Sequence, residues 1–316
     1  MSLKRTRTGY RSMFWPIVLI GIGLTWLLIN ADIISGASLV ALFQLWPLLL
    51  IAIGLDLLFG RSSSLMGGLI GIATVAAFLG LAVFGPALGL ITLPERQQET
   101  LTFTTDGAQS YALNLRAGTE TVTIAAGADD GTLVAADVVY YGDIRYVNEG
   151  TDERTVTIEE THSPSNTLFI PNTIVNDDES SDWFISLNPT LPVTLTLDSG
   201  VGQLNVDLSE VNLADFNANL GVGAADIVLP MPQQSYAVQI DSGVGEVNID
   251  VPDDAAIQVS INSGIGGVDV PDWLIATRQD DSVVGVDGTW HTDGFSDAEN
   301  TITILVEGGI GSVNLR

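Results

Sequence analysis

The chain has 316 residues, no cysteine and a formal net charge of −27 at pH 7. The lack of cysteine excludes a disulfide scaffold, a thiolate metal site and a cysteine nucleophile. The negative charge excludes nucleic acid as an expected partner, because phosphate binding requires basic side chains. The negative charge is compatible with partners that are cations, cationic peptides or basic proteins.

Charge and hydropathy divide the chain near Leu93. The first part, 1–93, has five bases and two acids, for a net +3, whereas 94–316 has six arginines and 36 acids, for a net −30. We expect a cytoplasmic basic tail over 1–12, a transmembrane region over 13–93 and an acidic extracytoplasmic domain over 94–316.

Three apolar stretches predict membrane-spanning helices at 13–29, 39–59 and 65–93. Each reaches or approaches the roughly 20 residues that cross a bilayer. A cleaved signal peptide is a poorer explanation, because the hydrophobic pattern returns twice after the first stretch. The third stretch is long, and a segment that splits or re-enters is the alternative to a single span.

Basic residues set the expected orientation. The tail with Arg11 and the connection with Arg61 face the cytoplasm under the positive-inside rule. Three spans then place the C-terminal domain outside, which predicts a multi-pass cell-membrane protein in contact with membrane lipid. Trp15 and Trp46, with these two arginines, are the expected interface anchors. Pro47 predicts either a kinked second helix or a span that begins at Trp46.

The acidic half predicts an all-β domain, because apolar residues alternate in short runs and no long stretch has a 3.6-residue period. Its most specific feature is a Gly-[Val/Ile]-Gly triplet that recurs within 195–316 at spacings of 21, 22, 21 and 45 residues. The ten glycines, interpreted as structural turn residues, are Gly200, Gly202, Gly221, Gly223, Gly243, Gly245, Gly264, Gly266, Gly309 and Gly311.

Each triplet has the same apolar flanks. Counting from the first glycine, the positions five and three before it and four and six after it are apolar. Residues two apart lie on one face of a strand, so the repeat predicts a strand, a glycine turn with positive φ and a second strand. The constant period favours a β-solenoid with rungs in register. The alternative is an antiparallel β-sandwich in which the triplets are hairpin loops. The last spacing predicts a degenerate coil or an insertion over Trp273–Asn300.

A short amide or carboxylate lies five residues after each first glycine. In a solenoid these residues form a column with a spacing of about 4.8 Å. Amides between the carboxylates keep like charges apart, so we interpret the column as structural. Its members are Asn205, Asp226, Asn248, Asp269 and Asn314.

No catalytic, cofactor-binding or metal-binding site is expected. The triplets lack the third glycine and the helix of a dinucleotide fingerprint and the aspartate of the calcium-binding nonapeptide repeat. The sequence has no Gly-x-Ser-x-Gly, His-Glu-x-x-His or P-loop motif, so we expect a protein that is not an enzyme. The acids Asp177, Asp178, Glu179 and Asp182 are the types that bind calcium, but they lack EF-hand spacing.

Several segments resemble a known bacterial family. "FWPIVLIGIGL" and "LWPLLLIAIGLDLLFG" are similar to the LiaI/LiaF-type transmembrane region. "WFISLNPTLPVTLTLDSGVGQLNVDLSEVNL", "INSGIGGVDVP" and "ILVEGGIGSVNLR" resemble the LiaF-like C-terminal, or toastrack, β-domain found in adhesin-like proteins. The chain departs from the family in having three predicted spans where four are frequent, and no residue maps to a kinase contact.

The resemblance implies a regulator that restrains a membrane sensor histidine kinase in the cell-envelope stress response. The alternative function is a structural or adhesin-like surface protein. Its β-domain would self-assemble into a homo-oligomer or bind an envelope component, and cationic envelope ligands suit its charge.

Overall fold

The computed structural model describes residues 13–31, 46–60, 64–84, 96–118, 120–141, 143–161, 182–281 and 285–316. These residues form two compact units, a helical unit before residue 85 and a β-unit from residue 96 onward. The predicted order of a helical region followed by a mostly-β domain is confirmed.

The helical unit contains α1 (Phe14–Asn30), α2 (Trp46–Leu55) and α3 (Ser64–Phe84), with a π-helical turn at Asp56–Gly60 after α2. Among the described residues, only Leu65–Phe84 in α3 is both long and apolar enough to cross a membrane, while Phe14–Asn30 and Leu48–Phe59 are apolar but shorter. The predicted spans also include 39–45 and 85–93, which lie outside the described residues.

Glycines bring α1 and α3 into close contact. A Cβ at Gly21 of α1 would press against Val75 of α3, and a Cβ at Gly71 of α3 would lie 3.2 Å from Ile17 Cβ of α1. Small residues allow helix backbones to approach in this way. Large apolar side chains elsewhere on α1 remain uncovered, including Leu19, Ile20 and Trp26. A helix that is apolar around most of its surface suits a lipid environment.

The described part of the β-unit contains fifteen strands joined in one sheet. In chain order they are β1 (Arg96–Thr104), β2 (Ser110–Ala117), β3 (Thr121–Ala126), β4 (Thr132–Tyr141), β5 (Asp143–Gly150), β6 (Glu153–Thr161), β7 (Asp182–Leu187), β8 (Val193–Asp207), β9 (Leu213–Val228), β10 (Tyr236–Asp250), β11 (Ala256–Ile265), β12 (Val268–Asp269), β13 (Ile275–Asp281), β14 (Val286–His291) and β15 (Thr301–Leu315). A 3-10 helix, Phe295–Asp297, precedes β15.

The long strands fold back on themselves. β8 and β9 pair in parallel with their starts side by side, yet only the five residues 208–212 connect the end of β8 to the start of β9. Five residues reach about 17 Å at most, whereas the 15 residues of β8 would extend for about 50 Å. β8 must therefore bend. The bend lies at the triplet, because the buried positions change there from odd to even residue numbers.

Each long strand thus forms one rung with two arms that enclose the core. The predicted inward positions line this core and are at most 3% exposed in Leu195, Phe216, Val238, Val259, Ile304, Leu204, Ala225, Val247 and Val313. The solenoid prediction is confirmed in this form. The antiparallel alternative is wrong for the triplets, because hairpins join antiparallel strands and these rungs are parallel. In β8, β9, β10 and β15 the triplet is a bend within one strand, whereas the triplet 264–266 lies at the end of β11, and β12 forms the second arm of that rung.

The rungs are not stacked in sequence order. β15 lies between β10 and β11 and is parallel to both. The β13–β14 hairpin fills the longer spacing before the last triplet, and β14 pairs antiparallel with the other edge of β11. Of the two alternatives for Trp273–Asn300, the structure therefore supports the insertion.

The strands before the triplets continue the stack. β2 and β3 pair with the two arms of β8, and they bury Leu113, Leu115, Val122 and Ile124 in the core. This rung keeps the apolar pattern around Gly118. β6 and β7 pair with β2 and β3 in turn, and β5, β4 and β1 extend the sheet by antiparallel pairing.

Candidate functional site

The bends of the rungs meet along a glycine corner, formed by the five triplets at 200–202, 221–223, 243–245, 264–266 and 309–311. The second glycine of every triplet has φ between 148° and 159°, a region that other residues rarely adopt. A Cβ at Gly245 would also collide with the carbonyl oxygen of Gly223 in the next rung. The glycines are thus required by the close approach of backbones, and they provide no side chain for ligand chemistry.

The middle residues of the triplets form an exposed aliphatic ridge along this corner. They are neighbours on adjacent strands in the order Val201, Val222, Val244, Ile310 and Ile265. Their exposed fractions lie between 43% and 54%. Neighbouring strands are about 4.8 Å apart, so the ridge is about 19 Å long.

A groove of about 1030 Å³ runs beside the ridge. It crosses six strands, from β2 to β11, and its lining consists mainly of each first glycine and the two residues before it. Since the ridge residue directly follows the lining glycine in every triplet, the aliphatic ridge forms one border of the groove. Six strands at their usual spacing give the groove a length of about 24 Å.

The residues two positions before the first glycine of each triplet and before Gly118 form a row of polar side chains that lines the groove, and Glu159 on β6 extends this row beside Arg116; we call it the acidic row. In spatial order the row consists of Glu159, Arg116, Asp198, Asn219, Asp241, Glu307 and Asn262.

At one end of the acidic row, Arg116 balances negative charge. Arg116 Nε donates to Asp198 Oδ2 at 3.1 Å, and Arg116 Nη1 donates to Glu159 Oε1 at 3.4 Å. These two carboxylates, Asp198 foremost, raise the pKa of the Arg116 guanidinium. Asn219 Nδ2 donates to Asp198 Oδ1 at 2.8 Å.

The other end of the row has excess negative charge. Asp241 and Glu307 are direct neighbours on β10 and β15, whereas every other carboxylate of the row has only arginine or amide neighbours within it. None of the ion pairs found among the described residues involves either carboxylate. Like charges opposite each other on adjacent strands destabilise a sheet, so a bound cation would relieve repulsion here.

The predicted Asn/Asp column lies on the second arm of the rungs, away from the groove lining. Because β15 precedes β11 and β12 in the stack, the spatial order is Asn205, Asp226, Asn248, Asn314 and Asp269. Asn248 Nδ2 donates to Asp226 Oδ1 at 2.9 Å, and Asn314 Nδ2 donates to Asn248 Oδ1 at 2.8 Å. The amides link adjacent rungs, which supports a structural interpretation.

The other residues singled out by sequence are only partly described. Trp15 and Trp46 are each 49% exposed at or next to the start of their helices. Arg11, Arg61 and the acids at 177–179 lie outside the described residues. Within the described ranges, no group of three or more histidine, aspartate or glutamate side chains is arranged to hold a metal ion.

The ridge, the acidic row and the rung formed by β2 and β3 were not predicted from the sequence. A signal for that rung was present, because Gly118 has apolar residues at the same offsets as the triplets. Glu120 in place of the second glycine concealed it. In the sequence, the ridge residues were only the Val or Ile at the centre of each triplet. The alternating pattern of buried positions stops on either side of them, so it did not predict where their side chains lie.

Two family models match the chain. The LiaI-LiaF-like transmembrane region matches residues 13–58. The N-terminal domain of toast_rack, DUF2154, matches residues 93–250. No curated protein matches the chain.

Two solved structures are similar to the chain. A candidate cell adhesion protein from Clostridium sporogenes ATCC 15579 has a TM-score of 0.57 and 22% identity, with 70% of this chain and 99% of that chain covered. A candidate adhesin from Bacteroides fragilis NCTC 9343 has a TM-score of 0.28 and 12% identity, with 71% and 99% covered. The first shares the fold of the β-unit. The toast_rack model spans half of the chain and includes the first three triplets. The chain therefore belongs to the toast_rack (DUF2154) family and carries a LiaI-LiaF-like transmembrane region before its toast-rack domain.

Proposed function

We propose that this protein is a non-enzymatic regulator of the bacterial cell envelope that acts on a membrane sensor histidine kinase. The observation that carries the proposal is the presence, in one chain, of a LiaI-LiaF-like transmembrane region and a toast_rack domain. The LiaF-like resemblance implies that the protein restrains the kinase.

The helical unit offers surfaces that a second membrane protein could contact. Ile20 of α1 is 70% exposed and Leu69 of α3 is 60% exposed, whereas Val18 of α1 is only 9% exposed. Lipid provides little hydrophobic driving force between helices, so helix association depends on close packing of such surfaces. We place the kinase contact on these exposed faces.

Site-specific photo-crosslinking tests this proposal in membranes that contain the natural kinases. A photoreactive residue at Ile20 or Leu69 should give an adduct with a histidine kinase, and the same residue at Val18 is the matched control. Kinase autophosphorylation should fall when the protein is present. The proposal is wrong if the exposed positions yield no kinase adduct and autophosphorylation is unchanged.

The proposal includes a topology with a cytoplasmic N-terminus, three spans and an extracytoplasmic β-unit. The chain has no cysteine, so single cysteines introduced at Ser2 and at Asp253 give a clean assay. A membrane-impermeant maleimide applied to intact cells should label only the cysteine at position 253. Labelling of position 2 alone would reverse the topology.

A second candidate function is a structural or adhesive surface protein. The exposed aliphatic ridge favours it, and the similar protein from Clostridium sporogenes is named as a candidate for cell adhesion. In that case the fragment 94–316 should form homo-oligomers or bind isolated cell wall without the helices. A fragment that stays monomeric and does not bind would count against this function.

A further inference from the structure

The aliphatic ridge is an apolar surface that the β-unit leaves uncovered. Single exposed aliphatic residues are normal on protein surfaces, but contiguous apolar patches mark contact sites. Here five β-branched residues stand side by side on adjacent strands, each between 43% and 54% exposed. The glycines before and after each of them have no side chains that could shield the ridge.

The groove beside the ridge determines the charge of a suitable partner. Asp241 and Glu307 both line it and have no ion-pair partner among the described residues. Arg116, the only base among the described residues that line the groove, is already bonded to Asp198 and Glu159. A partner on the ridge therefore meets uncompensated negative charge within the same rungs.

We propose that the aliphatic ridge and the acidic groove together bind a cationic amphipathic peptide segment. Its apolar side chains would cover the ridge, and its lysine or arginine side chains would reach Asp241 and Glu307. The ridge and the groove give a cationic ligand a defined binding site. Binding there does not require that the protein regulates a histidine kinase.

The charge distribution favours this partner over a second copy of the chain or an anionic lipid surface. The part of the chain from residue 94 onward carries a net −30. A second copy would bring more carboxylates towards the row, and anionic headgroups would be repelled in the same way.

The dimensions suit a short helix. The groove is about 24 Å long, which equals about 16 helical residues at 1.5 Å per residue. One helical turn rises 5.4 Å, close to the spacing of about 4.8 Å between neighbouring ridge residues. Apolar residues on successive turns of one helix face can therefore lie against successive rungs.

Isothermal titration of the full chain in zwitterionic lipid nanodiscs tests the proposal, with empty nanodiscs as the blank. The probe is a 16-residue leucine/lysine peptide with an amphipathic helical pattern. Its first control has glutamate for every lysine, and its second has the same composition in an order without the pattern. We expect saturable binding of the first peptide only, weakening as salt is raised.

Two pairs of substitutions locate the site. Val222→Thr with Val244→Thr keeps β-branched side chains of similar shape on the ridge, and Asp241→Asn with Glu307→Gln neutralises the acidic row. Each pair should weaken binding by about tenfold, and the second should also reduce the salt dependence. Matched controls are Met231→Gln, an exposed apolar position off the ridge, and Asp253→Asn with Asp254→Asn, which removes equal charge elsewhere. The controls should bind like the wild type.

Three results would overturn the proposal. One is the absence of saturable binding to the wild type. Another is binding that neither pair weakens more than its control does. The third is a ridge pair that changes the oligomeric state in sedimentation while peptide affinity is unaltered, which would assign the ridge to contacts between copies. Unchanged thermal unfolding of the β-unit shows that the variants remain folded.

Discussion

Replacing Gly245 by alanine tests the physical explanation of the glycine corner. Gly245 has φ of 156°, and a Cβ there would collide with the carbonyl oxygen of Gly223. Such a backbone conformation costs another residue about 1–3 kcal/mol, and forcing a methyl group into packed space costs about 1–3 kcal/mol more. We expect Gly245→Ala to lower the free energy of unfolding by about 2–6 kcal/mol, a large part of a typical domain stability of about 5–15 kcal/mol.

Two further alanine variants separate the two contributions. At Gly243 the backbone lacks the unusual φ, but a Cβ would press against the carbonyl oxygen of Gly221, so the expected loss is about 1–3 kcal/mol. At Gly267 nothing lies within 4 Å of the added Cβ, and the expected change is within about 0.5 kcal/mol.

Urea unfolding of the fragment 94–316 provides the measurement. The β-unit has its own core, which runs from Leu101 to Leu315, and the fully buried Trp183 is a fluorescence probe within it. The losses should rank Gly245 above Gly243 and Gly243 above Gly267. If Gly245→Ala and Gly267→Ala unfold at the same urea concentration with equal slopes, close backbone approach does not explain the glycines.

Three other predictions follow from the contacts within the β-unit. Asn248→Ala removes the hydrogen bonds that link Asn248 to Asp226 and Asn314 and should cost about 1–3 kcal/mol in the same urea assay; an unchanged midpoint would contradict the linking role of the column. The hydrogen bond from Arg154 lowers the pKa of the Asp106 carboxyl, so its stabilising contribution is complete above the unfolded pKa and is lost as the pH falls through the folded value. Carboxyl NMR titration should give Asp106 a pKa below the usual value of about 3.9, and Arg154→Gln should raise it towards that value, although the hydrogen bond from Thr104 would still lower it. Deletion of 301–316 should abolish the β-sheet signal in circular dichroism, because β15 lies between β10 and β11 and buries Ile302, Ile304 and Val306 in the core; a folded truncated domain would refute this.

Much of the fold could be predicted because the relevant signals are local. Alternation with a period of two is a property of one strand and its two faces, so it identified Leu195, Val238 and the equivalent positions as inward-facing. The glycines were identified as structural because they recur with those positions. Neither inference requires knowledge of which strands are neighbours.

The candidate site could not be predicted because it depends on strand neighbours. Glu307 lies beside Asp241 only because β15 inserts between β10 and β11. Backbone hydrogen bonds are the same for any partner strand, so the sequence does not reveal this order. The same insertion brings Ile310 between Val244 and Ile265 on the ridge. A separate long-range pairing, that of β2 with β8, places Arg116 against Asp198.

By itself, the sequence determined that the two parts of the chain suit different solvents, that the acidic part is an all-β repeat, and which side chains form its core. Hydropathy, charge and alternation are properties of residues that are close in sequence, so they can be read without knowledge of the fold. Only the tertiary structure decided that the triplets of β8, β9, β10 and β15 are bends within one strand, because short connections such as 208–212 must return the chain to the start of the next rung. It also decided which carboxylates and aliphatic side chains share a surface, because that depends on contacts between residues far apart in the chain.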